Sequence, residues 1–238
     1  MLILYILLIL VASILQASTG YGFSILATPF LLLFFEPMEA IQINLILSLF
    51  ISIVMIGKVK VDVDQKVLKR LIIGSIFGLP IGMVIFLWLP LNWLKLGIGI
   101  LILVLTVLMI AQLKMKQTRN RDYGAGGLSG TLTTSIGMPG PPLLLYFSGT
   151  KTNMEILRGT TIAFYLYIYV ISLAIQMVVA GTTQTVWLAS LVGAPVVLIG
   201  IFLGQLLFKV MSQKFFSIIS YFILLFTGLY LCINQLIL

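Results

Sequence analysis

An all-α polytopic membrane protein built from two inverted repeats is the fold class this sequence predicts, and three observations predict it. The 238 residues are 61% hydrophobic and 8% charged, with mean hydropathy +1.22, and the apolar runs are long enough to span a bilayer. Two of those runs are interrupted by glycine, proline and small polar residues, at corresponding places in the two halves of the chain. The lysines and arginines lie in short loops between apolar runs, as topology signals on a cytoplasmic face do.

The elements follow in order. Leu2–Leu15 is apolar but short for a full span, and QASTGYGFS (Gln16–Ser24) interrupts it before a second run, Ile25–Phe35. One helix through both runs would be about 50 Å long, too long for a hydrocarbon core of roughly 30 Å, so two helical pieces joined inside the membrane are expected over 2–35. Spans are expected at 40–56, 71–89 and 94–113. The first carries Gln42, Asn44, Ser48 and Ser52 at near-helical spacing; the second carries Gly74, Gly78 and Gly82 four residues apart, a spacing that lets helices approach closely. The most charged loop, Lys58–Arg70, separates them, and Trp88 and Trp93 flank a tight turn as interfacial anchors.

The second half opens after the basic loop of Lys114, Lys116, Arg119 and Arg121. Tyr123–Ile136 leads into GMPGPP, where Pro139, Pro141 and Pro142 must stop a helix, and Leu143–Phe147 follows. These make a broken element over 123–147. Spans are expected at 160–180, 186–208 and 215–233, and Tyr165, Tyr167 and Tyr169 read as packing and interface residues.

The halves correspond. Gly20 lies 117 residues before Gly137, Met38-Glu39 lies 116 before Met154-Glu155, and Gly78-Leu-Pro lies 115 before Gly193-Ala-Pro. The repeat unit is a broken element followed by three spans, used once in 1–116 and again in 117–238. In the first half the basic residues crowd the loops after the second and fourth elements; in the second half they occupy Lys151–Arg158 and Lys209–Lys214 instead. If Tyr123–Phe147 crossed the membrane, those second-half loops would face outward. If it enters and returns, all face the cytoplasm, so the positive-inside bias favours a re-entrant hairpin and inverted halves. Inverted repeats with discontinuous helices are the recurring architecture of secondary transporters, the alternative being a structural or accessory membrane subunit whose breaks are kinks.

Each short helix would begin deep in the protein, where its free N–H groups suit an anion. Gly20, Gly22, Gly137 and Gly140 permit close backbone approach, and Ser18, Thr19, Ser24, Thr133, Thr134 and Ser135 offer hydroxyl donors that a pseudo-twofold axis would bring together. Asn44 and Gln42 line the cavity or bond between helices, and Arg158, opening a helix, sits at a pathway's inner mouth or anchors topology. No carboxylate is expected deep in a span: Glu36, Glu39, Asp122 and Glu155 are terminal or in loops. The chain has no histidine and one cysteine, Cys232, so neither a zinc site of the common type nor a histidine-based nucleophile pair can be built, and neither an enzyme nor a cofactor is implied. The net charge of +8 does not point to nucleic acid, because no basic face interleaves with aromatics. The expected partners are a small anion and the lipid bilayer.

Two segments, TGYGFSILATPFLLLF (19–34) and GGLSGTLTTSIGMPGPPLLLYFSG (126–149) leading to MEILRGT (154–160), resemble the TauE/SafE group of sulfite exporters, and the two-repeat plan extends the resemblance over the whole chain. The resemblance implies movement of sulfite, organosulfonates or related small anions across the bacterial inner membrane. It also marks Gly20, Gly22, Gly137, Pro139 and Gly140 as the family's glycine-rich breaks.

Overall fold

Local signals set where each helix starts and stops. In a computed structural model, which describes residues 2–111, 116–210 and 212–237, the described residues form no strand, one short 3-10 turn at Lys60–Asp62 and ten α-helices. They are α1 (Leu2–Thr19), α2 (Phe23–Leu31), α3 (Pro37–Val59), α4 (Gln65–Trp88), α5 (Leu91–Ile110), α6 (Arg119–Ile136), α7 (Gly140–Gly149), α8 (Met154–Ala180), α9 (Gln184–Val210) and α10 (Gln213–Ile237). Pro37 opens α3 with Glu39 in its first turn, where a missing N–H and a negative charge both suit a helix start. Asp64 caps α4 by accepting from the N–H groups of Lys66 and Val67 at 3.0 and 3.1 Å, and Asn153 caps α8 through Ile156 at 2.9 Å.

The first break is narrower than the sequence suggests. α1 continues through Gln16–Thr19 and stops only at Gly20, because Ser13, Ser18 and Thr19 return their hydroxyls to carbonyls one turn back and so need no other partner inside the helix. The second half-hairpin also begins earlier than expected, at Arg119, and α7 runs on to Gly149. α3, α9 and α10 extend past both ends of their expected spans, α8 starts six residues early and ends at Ala180, and α4 and α5 start early but end at Trp88 and Ile110, short of the expected 89 and 113. Lys114, in the second basic loop, lies outside the described residues.

α1, α3, α4, α8 and α9 are long and apolar enough to cross a membrane. Their outward faces carry large apolar side chains such as Phe77 at 72%, Trp88 at 84% and Leu191 at 72% exposure, surface that lipid rather than water covers. With no hydrophobic drive between helices in lipid, close contact relies on small residues. α6 lies along α4, where a β-carbon at Gly74, Gly78 or Gly82 would run into the backbone of Tyr123, Gly127 and Thr131. α1 lies along α9 in the same way, over Gly193, Gly200 and Gly204. α3 packs against α8, and α5 against α10.

Polar contacts define the two ends of the bundle. At one end the Tyr5 hydroxyl donates to the Ala189 carbonyl at 2.7 Å, Thr183 donates to Glu39 at 2.6 Å, and Gln42 donates to the Gly181 carbonyl at 2.7 Å. Phe35, past the end of α2, returns to the Tyr5 ring at 5.9 Å near the start of α1. At the other end Lys58 donates to Gln205 at 2.7 Å and the Asp64 N–H donates to Thr160 at 3.0 Å. There too Arg70 pairs with Asp122 at 2.9 Å, and Tyr146, late in α7, donates to the same carboxylate in the first turn of α6. Each broken element therefore folds back on itself, one with its open end beside Glu39 and the other beside Arg70.

Candidate functional site

The non-helical links are three residues each, Gly20–Gly22 and Gly137–Pro139. Gly20, Gly22 and Gly137 have φ of +85°, +114° and +74°, a region in which a side chain is strained, so glycine is what lets the chain turn here. Gly137 closes α6 through its N–H on Thr133, at 2.7 Å. Beyond the turns, α2 starts at Phe23 with no side-chain cap, leaving its first N–H groups without helical acceptors. α7 offers fewer such donors, because Pro141 and Pro142 in its first turn carry no N–H.

A residue from the other half of the chain caps each broken helix. Asn44 of α3 donates to the Gly137 carbonyl at 2.8 Å, and Arg158 of α8 donates through Nε to the Ala17 carbonyl at 2.9 Å. A β-carbon on Gly20 would sit 2.7 Å from the Arg158 Cα, so α8 lies directly against the first break. The Arg158 guanidinium stacks 4.1 Å over the Phe208 ring and is almost wholly buried; among the described residues no carboxylate lies within ion-pair distance of it. Arg158 belongs to the second turn of α8 rather than its start, since Asn153 caps the helix earlier.

The predicted residues separate into two groups. The hydroxyls of Ser18, Thr19, Thr133, Thr134 and Ser135 are spent on carbonyls of their own helices at 2.5 to 3.1 Å, Thr134 also reaching Leu79 on α4 at 2.8 Å and Thr19 the Tyr21 carbonyl in the break. They finish the ends of α1 and α6 and are not brought together. Ser24 and Gly140, at the starts of α2 and α7, do converge, on α8. Ser24 and Ser48 face the Tyr169 hydroxyl at geometry short of a formed hydrogen bond. A β-carbon on Gly140 would lie 3.1 Å from the Tyr165 hydroxyl and 3.0 Å from Ile25 of α2. The Tyr165 and Tyr169 rings are 5.1 Å apart. Gly20 and Gly140 thus meet α8 seven residues apart, about 10 Å along its axis.

Tyr165 and Tyr169, expected from the sequence to serve packing, stand at this convergence. Both are fully buried, and their hydroxyls, with those of Ser24 and Ser48 and the Asn44 Oδ1, lack hydrogen-bond partners. The signal for them lay in spacing: Tyr165, Tyr169, Ser172 and Gln176 recur at three- and four-residue intervals, a polar stripe down one face of an apolar helix. Asp122 is the third residue whose setting the sequence did not reveal. It is terminal in α6, as expected, yet wholly buried, because Arg70 and Tyr146 both reach it.

Broken helices that start against one another inside a polytopic bundle are a recurring feature of secondary transporters, and the fold is of that class. The family model of the sulfite exporter TauE/SafE matches residues 5–231, and the chain belongs to that family: it is a multi-pass transporter of the inner membrane. No curated protein and no solved structure matches the chain.

Proposed function

We propose that this transporter exports a small sulfur-containing anion, sulfite or an organosulfonate or a related oxyanion, by alternating access at a site between two re-entrant hairpins. One observation carries the reading. Two short helices, from hairpins whose open ends lie at opposite ends of the bundle, start against the same pair of tyrosines at mid-length of α8. The start of α2 supplies backbone donors, Ser24 a hydroxyl, and Arg158 the buried positive charge nearest the first break; Ser18, Thr19, Gly20, Gly22, Thr133, Thr134, Ser135, Gly137, Pro139 and Asn44 build and cap the turns that hold the hairpins.

Helix packing supports the inverted-repeat part of the reading, with residues 1–116 as one repeat and 117–238 as the other. Exchanging α1–α5 with α6–α10 in order turns the α1–α9 contact into α6–α4, α3–α9 into α8–α4 and α5–α7 into α10–α2, all of which occur. It turns α3–α8 and α5–α10 into themselves. Rocking one repeat against the other would then expose the site to either end in turn.

The experiment is transport by the purified protein in proteoliposomes across a panel of sulfite, methanesulfonate, thiosulfate and chloride under an imposed potential. Uptake of sulfur oxyanions is expected, and no flux of any anion would return the chain to the accessory-subunit reading. Orientation is tested by labelling Asn153→Cys in a Cys232→Ser background in whole cells. Access from the cytoplasm is expected, and access from outside alone would overturn the re-entrant hairpin.

A further inference from the structure

Resting on the transport reading above, we propose that Ser24, Ser48, Tyr165 and Tyr169 coordinate the carried anion through uncharged hydroxyl donors, so that the site admits singly charged oxyanions and rejects doubly charged ones. The four hydroxyls come from three elements, α2, α3 and α8. Ser48 is the twelfth of the 23 residues of α3, and Tyr165 and Tyr169 straddle the centre of α8. All four side chains are fully buried, and none of the four oxygens has a hydrogen-bond partner. Native interiors leave few such groups unsatisfied; Ser24 and Ser48 lie against the Tyr169 hydroxyl, the Tyr165 ring packs 5.1 Å from that of Tyr169, and the group marks a place that an occupant completes. A hydroxyl can donate as well as accept, so the oxygens of a sulfonate head can accept from every member.

Charge decides which oxyanion. Among the described residues, no lysine, arginine, aspartate or glutamate belongs to the cluster. Arg158 lies seven residues from Tyr165 along α8, about 10 Å away, with its Nε committed to Ala17. The hydration energy an ion gives up on burial scales with the square of its charge, so a dianion loses about four times what a monoanion loses. Hydroxyls bonding a charged oxygen are strong donors, but they bring no full positive charge to offset the second negative one. For sulfite, the carried form is therefore hydrogensulfite.

The test uses the full chain in proteoliposomes with two probes of permanent charge, methanesulfonate with one and sulfate with two. Methanesulfonate is expected to move at least about tenfold faster than sulfate, and Tyr169→Phe or Ser48→Ala to slow it roughly tenfold at subsaturating concentration, the effect of one lost bond to a charged group. Sulfite flux is expected to fall as rising pH converts it to the dianion while methanesulfonate flux holds. Tyr167→Phe, on the half-exposed side of α8, is expected to match the wild type. Sulfate moving as fast as methanesulfonate would overturn the proposal and leave transport standing, as would wild-type rates in Ser24→Ala, Ser48→Ala, Tyr165→Phe and Tyr169→Phe alike. Should a variant fail to fold, the discrimination by the wild type still decides. No flux of either probe or of sulfite would overturn both readings.

Discussion

Substituting Gly20 by alanine tests whether the first break is a close-packed joint. Two costs act together. The residue holds φ at +85°, and forcing an L side chain into the left-handed region costs about 1–2 kcal/mol. The added methyl would lie 2.7 Å from the Arg158 Cα and 3.2 Å from its Cβ and Cγ, and the first of these is backbone, which cannot swing aside. Overpacking of this kind costs about 1–3 kcal/mol. Alanine recovers about 0.4–1 kcal/mol by restricting the unfolded chain.

The balance is a loss of roughly 1–4.5 kcal/mol, which for a chain of this size lowers the melting temperature by roughly 2–18 °C. The assay is thermal unfolding of the detergent-solubilised protein, with Gly57→Ala as control. Gly57 lies inside α3 with nothing within 4 Å of an added methyl, and alanine there is expected to stabilise by about 0.5–1 kcal/mol. Gly20→Ala melting with the wild type, or Gly57→Ala falling as far as Gly20→Ala, would refute the packing argument.

Arg158→Gln is expected to lower the melting temperature and the rate of methanesulfonate transport together, since it removes a charged donor worth about 1.5–3 kcal/mol to the Ala17 carbonyl and the stacking on Phe208. Arg158→Lys should recover part of the transport rate but little of the stability. Asp122→Asn still offers Tyr146 an acceptor and frees Arg70, which is one third exposed and can rehydrate, so a loss of about 1 kcal/mol by thermal melting is expected. Asp122→Leu strands the Tyr146 hydroxyl as well, and its loss should be about 1–3 kcal/mol larger.

Much of this fold was legible because bilayer physics leaves little choice. Long apolar runs must be helices, and GMPGPP must interrupt one. The glycine triplet at 74, 78 and 82 named a close-packed face, and α6 occupies it. What escaped the sequence depended on partners distant in the chain. The serines and threonines beside the breaks looked like donors awaiting a ligand, yet their hydroxyls fold back on carbonyls one turn away, a choice that residue type does not reveal. Tyr165 and Tyr169 looked like packing because a tyrosine in an apolar run usually is. Their unsatisfied hydroxyls appear only once α2 and α3 are laid against α8. Asp122 was read by its position near a helix start, and burial came from Arg70, 52 residues away.

The buried carboxylate also bears on how transport is driven. A proton-coupled carrier needs an acid in the interior that can gain and lose its proton as the site turns over. Asp122 is placed otherwise: one oxygen is held by Arg70 and the other by Tyr146, at the end of the bundle and away from the Ser24–Tyr169 cluster. Removing its charge would leave Arg70 unpaired and break the link between α4 and the α6–α7 hairpin. The polar side chains at the tyrosine cluster are uncharged, so if that cluster carries the anion as proposed, the anion's own charge would cross the membrane. On the proposed mechanism an inside-negative potential would do the work, about 2.3 kcal/mol for one charge at 100 mV, enough for roughly fiftyfold outward accumulation. Methanesulfonate efflux from proteoliposomes is therefore expected to accelerate when a potassium-diffusion potential makes the interior negative, to stop near the matching concentration ratio, and to ignore collapse of a pH gradient. Efflux indifferent to the potential, or abolished by a protonophore while the potential is held, would show that a second ion moves with the substrate and that the bonds on Asp122 open during the cycle.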